Sequence, residues 1–191
     1  MKPFAKIIGG KFKGKALELP SLEVTRSSKA ILKGSVFDSL QFDIIDKIFV
    51  EAFAGSGSMG LEAISRGAKL AYFVEKDRNS FAILSRNCKS VDSAKSLAFC
   101  ADALDQIPLI AKNLQNEEKN VIFYFDPPFS YRENMDEIYE KCFELVSKIS
   151  KNQTFTIIFE HMSILKMPET LGDFKLSKSR KFGKSSLTYY V

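Results

Sequence analysis

The stretch IFVEAFAGSGSMG, residues 48–60, decides the fold. Its first seven residues, 48–54, are apolar apart from Glu51, as expected of a strand buried on both faces of a parallel sheet. Gly55, Gly57 and Gly60 follow at G-x-G-x-x-G spacing, and the pattern predicts a helix from about Met59 to Arg66. Glycines there let the backbone turn tightly and approach a ligand at the strand's carboxyl end. On the C-terminal side the alternation repeats. Apolar runs at 70–75, 96–100, 121–125 and 154–159 read as strands, with helices over 78–91, near 104–115 and over 133–150. Such alternation implies right-handed crossovers and an α/β, Rossmann-like parallel sheet covered on both faces. After residue 172 the segments FKLSKSRKFG and SLTYYV read instead as an antiparallel hairpin finishing one edge. Before residue 42, KIIGGKFKGKALEL (6–19) reads as two strands around Gly9–Gly10. Residues 28–40 carry Ile31, Leu32, Val36, Phe37 and Leu40 at helical spacing, although Gly34 costs that helix about 1 kcal/mol relative to Ala.

A chain of 191 residues with 45% hydrophobic and 27% charged residues can bury a sizeable core. No apolar run approaches the roughly 18 residues of a membrane span, and the basic N-terminus lacks the apolar stretch of a signal peptide. Cys88, Cys100 and Cys142 are scattered without metal-type spacing, so reduced thiols, a cytoplasmic location and no bound metal are expected. The net charge of +5 is unevenly spread. Residues 1–34 hold eight Lys or Arg against two Glu, 175–191 hold five Lys or Arg and no acid, and the middle is acidic. If the two basic ends meet, they form a patch that attracts polyanions.

Three strand ends carry candidate chemistry. Glu75 closes the second strand, 20 residues beyond Gly55, where a carboxylate can accept both hydroxyls of a ribose. The glycine turn and this acid suit a dinucleotide as readily as another adenosine-containing cofactor. Asp102, in FCADAL, sits where an adenine amine could be recognised, and equally where a helix would be capped. The third is VIFYFDPPFSY (121–131), in which a buried strand runs straight into Asp126, Pro127, Pro128 and Phe129. Methylating an exocyclic base amine is hard because its lone pair is delocalised into the ring. Asp126 and the Pro127 carbonyl can accept hydrogen bonds from the amino hydrogens, the prolines fix φ near −65°, and Phe129 offers a face on which an extruded base stacks. This is catalysis by positioning and electrostatics.

Together these residues resemble S-adenosylmethionine-dependent methyltransferases of exocyclic amines, whose signature is Asp/Asn-Pro-Pro-Tyr/Phe. Across the whole chain, IIGGKFKGKALELP, FAGSGSMGLEAISRGA, VEKD, FDPPF and RKFG resemble the bacterial RsmD-type guanine-N2 methyltransferases of small-subunit ribosomal RNA. The resemblance implies a seven-stranded methyltransferase sheet, parallel with an antiparallel C-terminal hairpin, over 43–191. It also implies a basic RNA-contacting hairpin and helix over 1–42. Asp126, Pro127 and Phe129 would be catalytic. S-adenosylmethionine would be held by Glu51, Phe53, Ala54, Gly55, Gly57, Gly60, Glu75, Lys76, Asp102 and Ala103. Ribosomal RNA, free or in an assembling subunit, would be met by Lys11, Lys13, Arg26, Lys29, Lys33 and Tyr131. The chain departs from the pattern in two places. Glu51 stands where Asp is usual, and RSSKAILKG replaces an Arg-Pro-Thr run and its Arg-rich helix, with Ile31 at an expected Arg. His161 reads as structural. A DNA adenine-N6 methyltransferase would share the Asp-Pro-Pro-Phe turn, an NAD-dependent oxidoreductase would use the glycine turn alone, and a non-catalytic RNA-binding protein would need neither acid.

Overall fold

A computed structural model describes residues 4–20, 26–128 and 135–191. Short strands β1 (Phe4–Lys6) and β2 (Ala16–Glu18) pair antiparallel. Helix α1 (Arg26–Leu40) follows, and then β3 (Ile48–Glu51), α2 (Ser58–Ser65), β4 (Leu70–Glu75), α3 (Arg78–Val91), β5 (Ser96–Cys100), α4 (Ala103–Asn113), β6 (Val121–Phe125) and α5 (Met135–Ser147). The chain ends in β7 (Thr154–Met162), β8 (Thr170–Leu171), β9 (Phe174–Phe182) and β10 (Ser185–Tyr190). The main sheet has the order β5-β4-β3-β6-β7-β10-β9-β8. Its first five strands are parallel, and β10, β9 and β8 are antiparallel. The expected seven strands are all present, and the two-residue β8 makes an eighth.

Side-chain alternation along the central strands divides the core in two. Phe49, Ile122, Tyr124 and Ile158 face α1, α2 and α3, whereas Ile48, Val50, Phe123, Phe125 and Phe159 face α4 and α5. The N-terminal segment belongs to the first of these cores, where Ile7, Leu17, Leu32, Val36 and Phe37 pack with Phe49 and Leu61. Its hairpin does not turn at Gly9–Gly10. Phe4 pairs with Glu18 and Lys6 with Ala16, which leaves a loop over 7–15. That loop is clamped to the end of α2. Ser65 Oγ donates to the Gly9 carbonyl (2.6 Å) and accepts from Phe12 N (2.9 Å), while Lys11 N donates to the Ser65 carbonyl (2.7 Å). A Cβ on Gly10 would lie 1.9 Å from that carbonyl oxygen, and its φ of 74° belongs to the left-handed region, so glycine is required on both counts.

The site is positioned by the parallel strands, whose carboxyl ends converge where open α/β sheets bind ligands. The register matters in particular at β6 and β7. Phe125 pairs with Phe159, so the next residues along, Asp126 and Glu160, stand side by side. Strand β7 extends three residues beyond the expected 159 because β10 pairs with it as far as Met162. His161 therefore lies within a strand, buried, with Nδ1 bonded to the Met162 carbonyl and Nε2 to Thr188 Oγ1, both at 2.8 Å.

Candidate active site

A cleft of about 430 Å3 opens at the strand ends, bordered by Glu51, Phe53, Gly55, Lys29, Asp126 and Glu160. Phe4, Ile8 and Leu19 of the N-terminal segment close its other side. A larger groove of about 540 Å3 between α4 and α5 holds none of these carboxylates.

Strand β6 is buried along its whole length and delivers Asp126 to the cleft. Burial, and after it the Glu160 charge, raise the Asp126 pKa, against the pull of Lys29. Lys29 Nζ bridges the pair, 2.6 Å from Asp126 Oδ2 and 2.5 Å from Glu160 Oε1. Burial disfavours the Lys29 charge, but the two carboxylates outweigh it and hold the ammonium firmly protonated. Tyr124 donates its hydroxyl to Glu160 Oε2 at 2.5 Å, and burial beside that acid pushes the phenol well above its ordinary value. Pro127 is buried and Pro128 exposed. Phe129, Tyr131 and the side chain of Arg26 lie outside the described residues.

On the other side of the cleft, Glu51 is 3% exposed and accepts from Gly60 N (2.8 Å) and Met59 N (3.3 Å) at the start of α2. Burial pushes its carboxyl up to about 8, although the two N–H groups oppose this. Glu75 accepts from Gly55 N and Asp77 N, both at 2.7 Å, one on each oxygen. A carboxylate has about four acceptor sites, so two hydroxyls can still be met. A Cβ on Gly55 would touch nothing within 4 Å, leaving open space above the turn. Gly57 and Gly60 serve a different purpose. Added Cβ atoms would fall 2.5 Å from Leu84 Cδ1 and 2.4 Å from Phe73 Cε1, so these glycines admit core side chains rather than a ligand. Asp102 caps α4 through Leu104 N (2.9 Å) and pairs with Lys76 at 2.7 Å, and Ala103 is buried in the first turn of that helix. Gly55 borders the cleft, whereas Glu75, Lys76, Asp102 and Ala103 are not among its lining residues. The Glu75 and Asp102 carboxylates keep acceptor sites beyond the bonds they make, which is compatible with the hydroxyls and amine of an adenosyl group. Among the described residues no group of three or more His, Cys, Asp or Glu could hold a metal ion.

The residues expected at RNA divide. Lys11 and Lys13 are exposed on the 7–15 loop. Lys29 points into the cleft. Lys33 is a correction: it is 4% exposed, donates to the Lys6 carbonyl (2.8 Å) and lies 3.5 Å from the fully buried Glu62. Its charge holds the N-terminal segment on α2, and burial lowers its pKa despite Glu62. The two basic ends do approach each other, for Arg180 Nη1 of β9 reaches Ser35 Oγ of α1 at 3.4 Å. No helix among the described residues is long and apolar enough to cross a membrane. Cys88, Cys100 and Cys142 are free. Glu160 and Tyr124 complete the cleft; Glu160 belongs to none of the sequence motifs, and Tyr124 lies within VIFYFDPPFSY without an assigned role there. A lone acid ending the apolar run before His161 is the signal that marks Glu160.

Known proteins share this architecture and about a quarter to a third of the aligned sequence. The Escherichia coli protein yhhF superposes with a TM-score of 0.77 at 24% identity, covering 98% of this chain and 97% of that one. The Bacillus subtilis protein YlbH is 25% identical, with 97% of each chain covered. Ribosomal RNA small subunit methyltransferase D of Haemophilus influenzae is 31% identical over 66% of this chain and 64% of its own length. Residues 5–191 match the family described as conserved hypothetical protein 95, and the chain belongs to that family, which holds the RsmD-type ribosomal RNA methyltransferases.

Proposed function

We propose that the protein transfers a methyl group from S-adenosylmethionine to the exocyclic N2 amine of a guanine in small-subunit ribosomal RNA. The observation that carries this reading is Asp126. It ends a fully buried strand, is followed by Pro127 and Pro128, and borders the same cleft as Phe53 and Gly55. Gly55, Glu75 and Asp102 would hold the adenosyl part, while Glu51 fixes the start of α2 beneath the turn. Bound there, the cofactor supplies an electrophilic sulfonium methyl group. Asp126 and the Pro127 carbonyl accept the amino hydrogens of the base and hold its nitrogen toward the cleft. The rate gain comes from orientation and from fixed acceptors. Lys11 and Lys13 on the 7–15 loop, and Arg180 of β9 beside Ser35 of α1, supply charge for the RNA backbone.

A dinucleotide enzyme would leave Asp126 and its proline turn without a purpose. A DNA adenine-N6 methyltransferase would keep them, so the product base decides between the two. The test incubates the protein with labelled S-adenosylmethionine and either small subunits or free small-subunit RNA lacking the modification, followed by mass spectrometry of the nucleosides. N2-methylguanosine is expected, and Asp126→Ala should abolish it while S-adenosylmethionine still binds in a calorimeter. Labelled N6-methyladenine from DNA, or full activity of Asp126→Ala, would overturn the proposal.

A further inference from the structure

Lys29 belongs to the basic N-terminal segment, yet its ammonium is turned inward between two carboxylates, Asp126 and Glu160. All three side chains border the cleft. Glu160 is itself held from behind by Tyr124, whose ring packs on Phe49 with centroids 6.0 Å apart. Resting on the reading that Asp126 receives the target amine, we propose that Lys29 is a positioning residue. Its ammonium, seated on both acids, keeps Asp126 an acceptor and stays with Glu160 when Asp126 turns to the base.

The need for such a cation follows from the register. Adjacent strands place two acids side by side, and like charges that close disfavour ionisation of both. A protonated Asp126 would keep one carbonyl acceptor but turn its other oxygen into an O–H donor, a poorer match for an amine that brings only donors. Among the described residues the groups whose charges interact with Asp126 are Lys29 from α1, Glu51 from β3, Tyr124 from β6, Tyr139 from α5 and Glu160 from β7. Of these Lys29 alone is cationic. Lys6 and Lys33 also border the cleft, with Lys33 engaged by Glu62 and the Lys6 carbonyl. Burial and Glu160 favour the protonated acid, and Lys29 opposes them. The second seat matters equally. When Asp126 turns to the base, Glu160 Oε1 at 2.5 Å still holds the half-buried ammonium.

Methyl-transfer rates measured from pH 5 to 9.5 test the proposal. Lys29→Met should lower the rate at pH 7 by about tenfold or more, recover as pH rises, and move the acid limb upward by about one pH unit or more. Lys29→Arg should restore the wild-type limb. Glu160→Gln removes the neighbouring negative charge and should move the limb downward. Limbs that stay in place, a loss equal at every pH, or shifts of the same sign in both variants would overturn it. A second readout needs no catalysis. In cofactor-free protein labelled at Asp carboxyl carbons, the Asp126 resonance, assigned by its absence in Asp126→Asn, should titrate at higher pH in Lys29→Met. The same spectra report folding, with Lys29→Gln replacing a Lys29→Met variant that does not fold. An unchanged midpoint refutes the role of Lys29. Absence of methyl transfer by the wild type refutes the proposed function instead, and the titration still decides the ion pair.

Discussion

Replacing Glu51 with Gln should remove much of the protein's loss of stability as pH rises from 4.5 to about 8. Glu51 is almost fully buried at the end of β3, and burial pushes its carboxyl from an ordinary 4.5 to about 8. The native protein thus holds a proton that the unfolded chain releases above pH 4.5. Stability contributed by this group is fully present below pH 4.5, falls as pH rises toward 8, and is level beyond it. At 1.36 kcal/mol per pH unit the whole change is about 5 kcal/mol, of which about 3 kcal/mol is lost by pH 7. Gln cannot ionise, and its carbonyl can keep the 2.8 Å bond from Gly60 N, although the longer 3.3 Å bond from Met59 N is given up. Urea unfolding midpoints from pH 5 to 9 would read the effect. The variant should match or slightly trail the wild type at pH 5 and exceed it by about 3–5 kcal/mol at pH 9. Some slope should persist, because Asp126 is also raised by burial. Midpoints that stay parallel across the range would refute the claim that Glu51 is protonated in the folded protein.

Glu75→Ala should weaken S-adenosylmethionine binding by about 1–3 kcal/mol in calorimetry, the cost of leaving hydroxyls unpaired, and unchanged affinity would remove Glu75 from the site. RNA affinity should fall steeply with salt, and Lys11→Ala with Lys13→Ala should reduce the log–log salt slope by about 1 for each phosphate that is no longer neutralised. Lys33→Met should leave that slope unchanged, since the buried ammonium meets Lys6 and Glu62 rather than solvent. A reduced slope in Lys33→Met would contradict its interior placement.

What was legible in the sequence was local. Strands β3 and β6 are unbroken apolar runs, and the glycines and prolines that follow them stand next to the acids they serve, so neighbouring residues sufficed to place Asp126, Gly55 and Glu75 at strand ends. What was hidden depends on register and on distant partners. Lys29 meets Asp126 across 97 residues and Glu160 across 131, and nothing in RSSKAILKG marks one lysine as inward and the next as buried. Gly57 and Gly60 matched a ligand-binding spacing, but the atoms that exclude a Cβ belong to Phe73 and Leu84 on β4 and α3. Glu160 fell just beyond the expected strand end at 159 because the pairing that carries β7 to Met162 comes from β10, the last strand of the chain.

The clamp between the first loop and α2 has a consequence for the nascent chain. Ile8, Gly9 and Phe12 find their partners in Glu62 and Ser65, 53 to 56 residues later, and Glu18 finds Asn87 after 69. At about 5–20 residues per second, those partners emerge roughly 3–14 seconds after the segment that needs them. A hairpin of three-residue strands is marginal alone, although hairpins close in about 1–10 microseconds. During translation the β1–β2 segment therefore waits as open chain, and it docks only once α2 and α3 have formed. Its four lysines, Lys6, Lys11, Lys13 and Lys15, keep that waiting segment solvated, so the charge proposed to meet a polyanion in the finished protein also guards against aggregation before the protein exists.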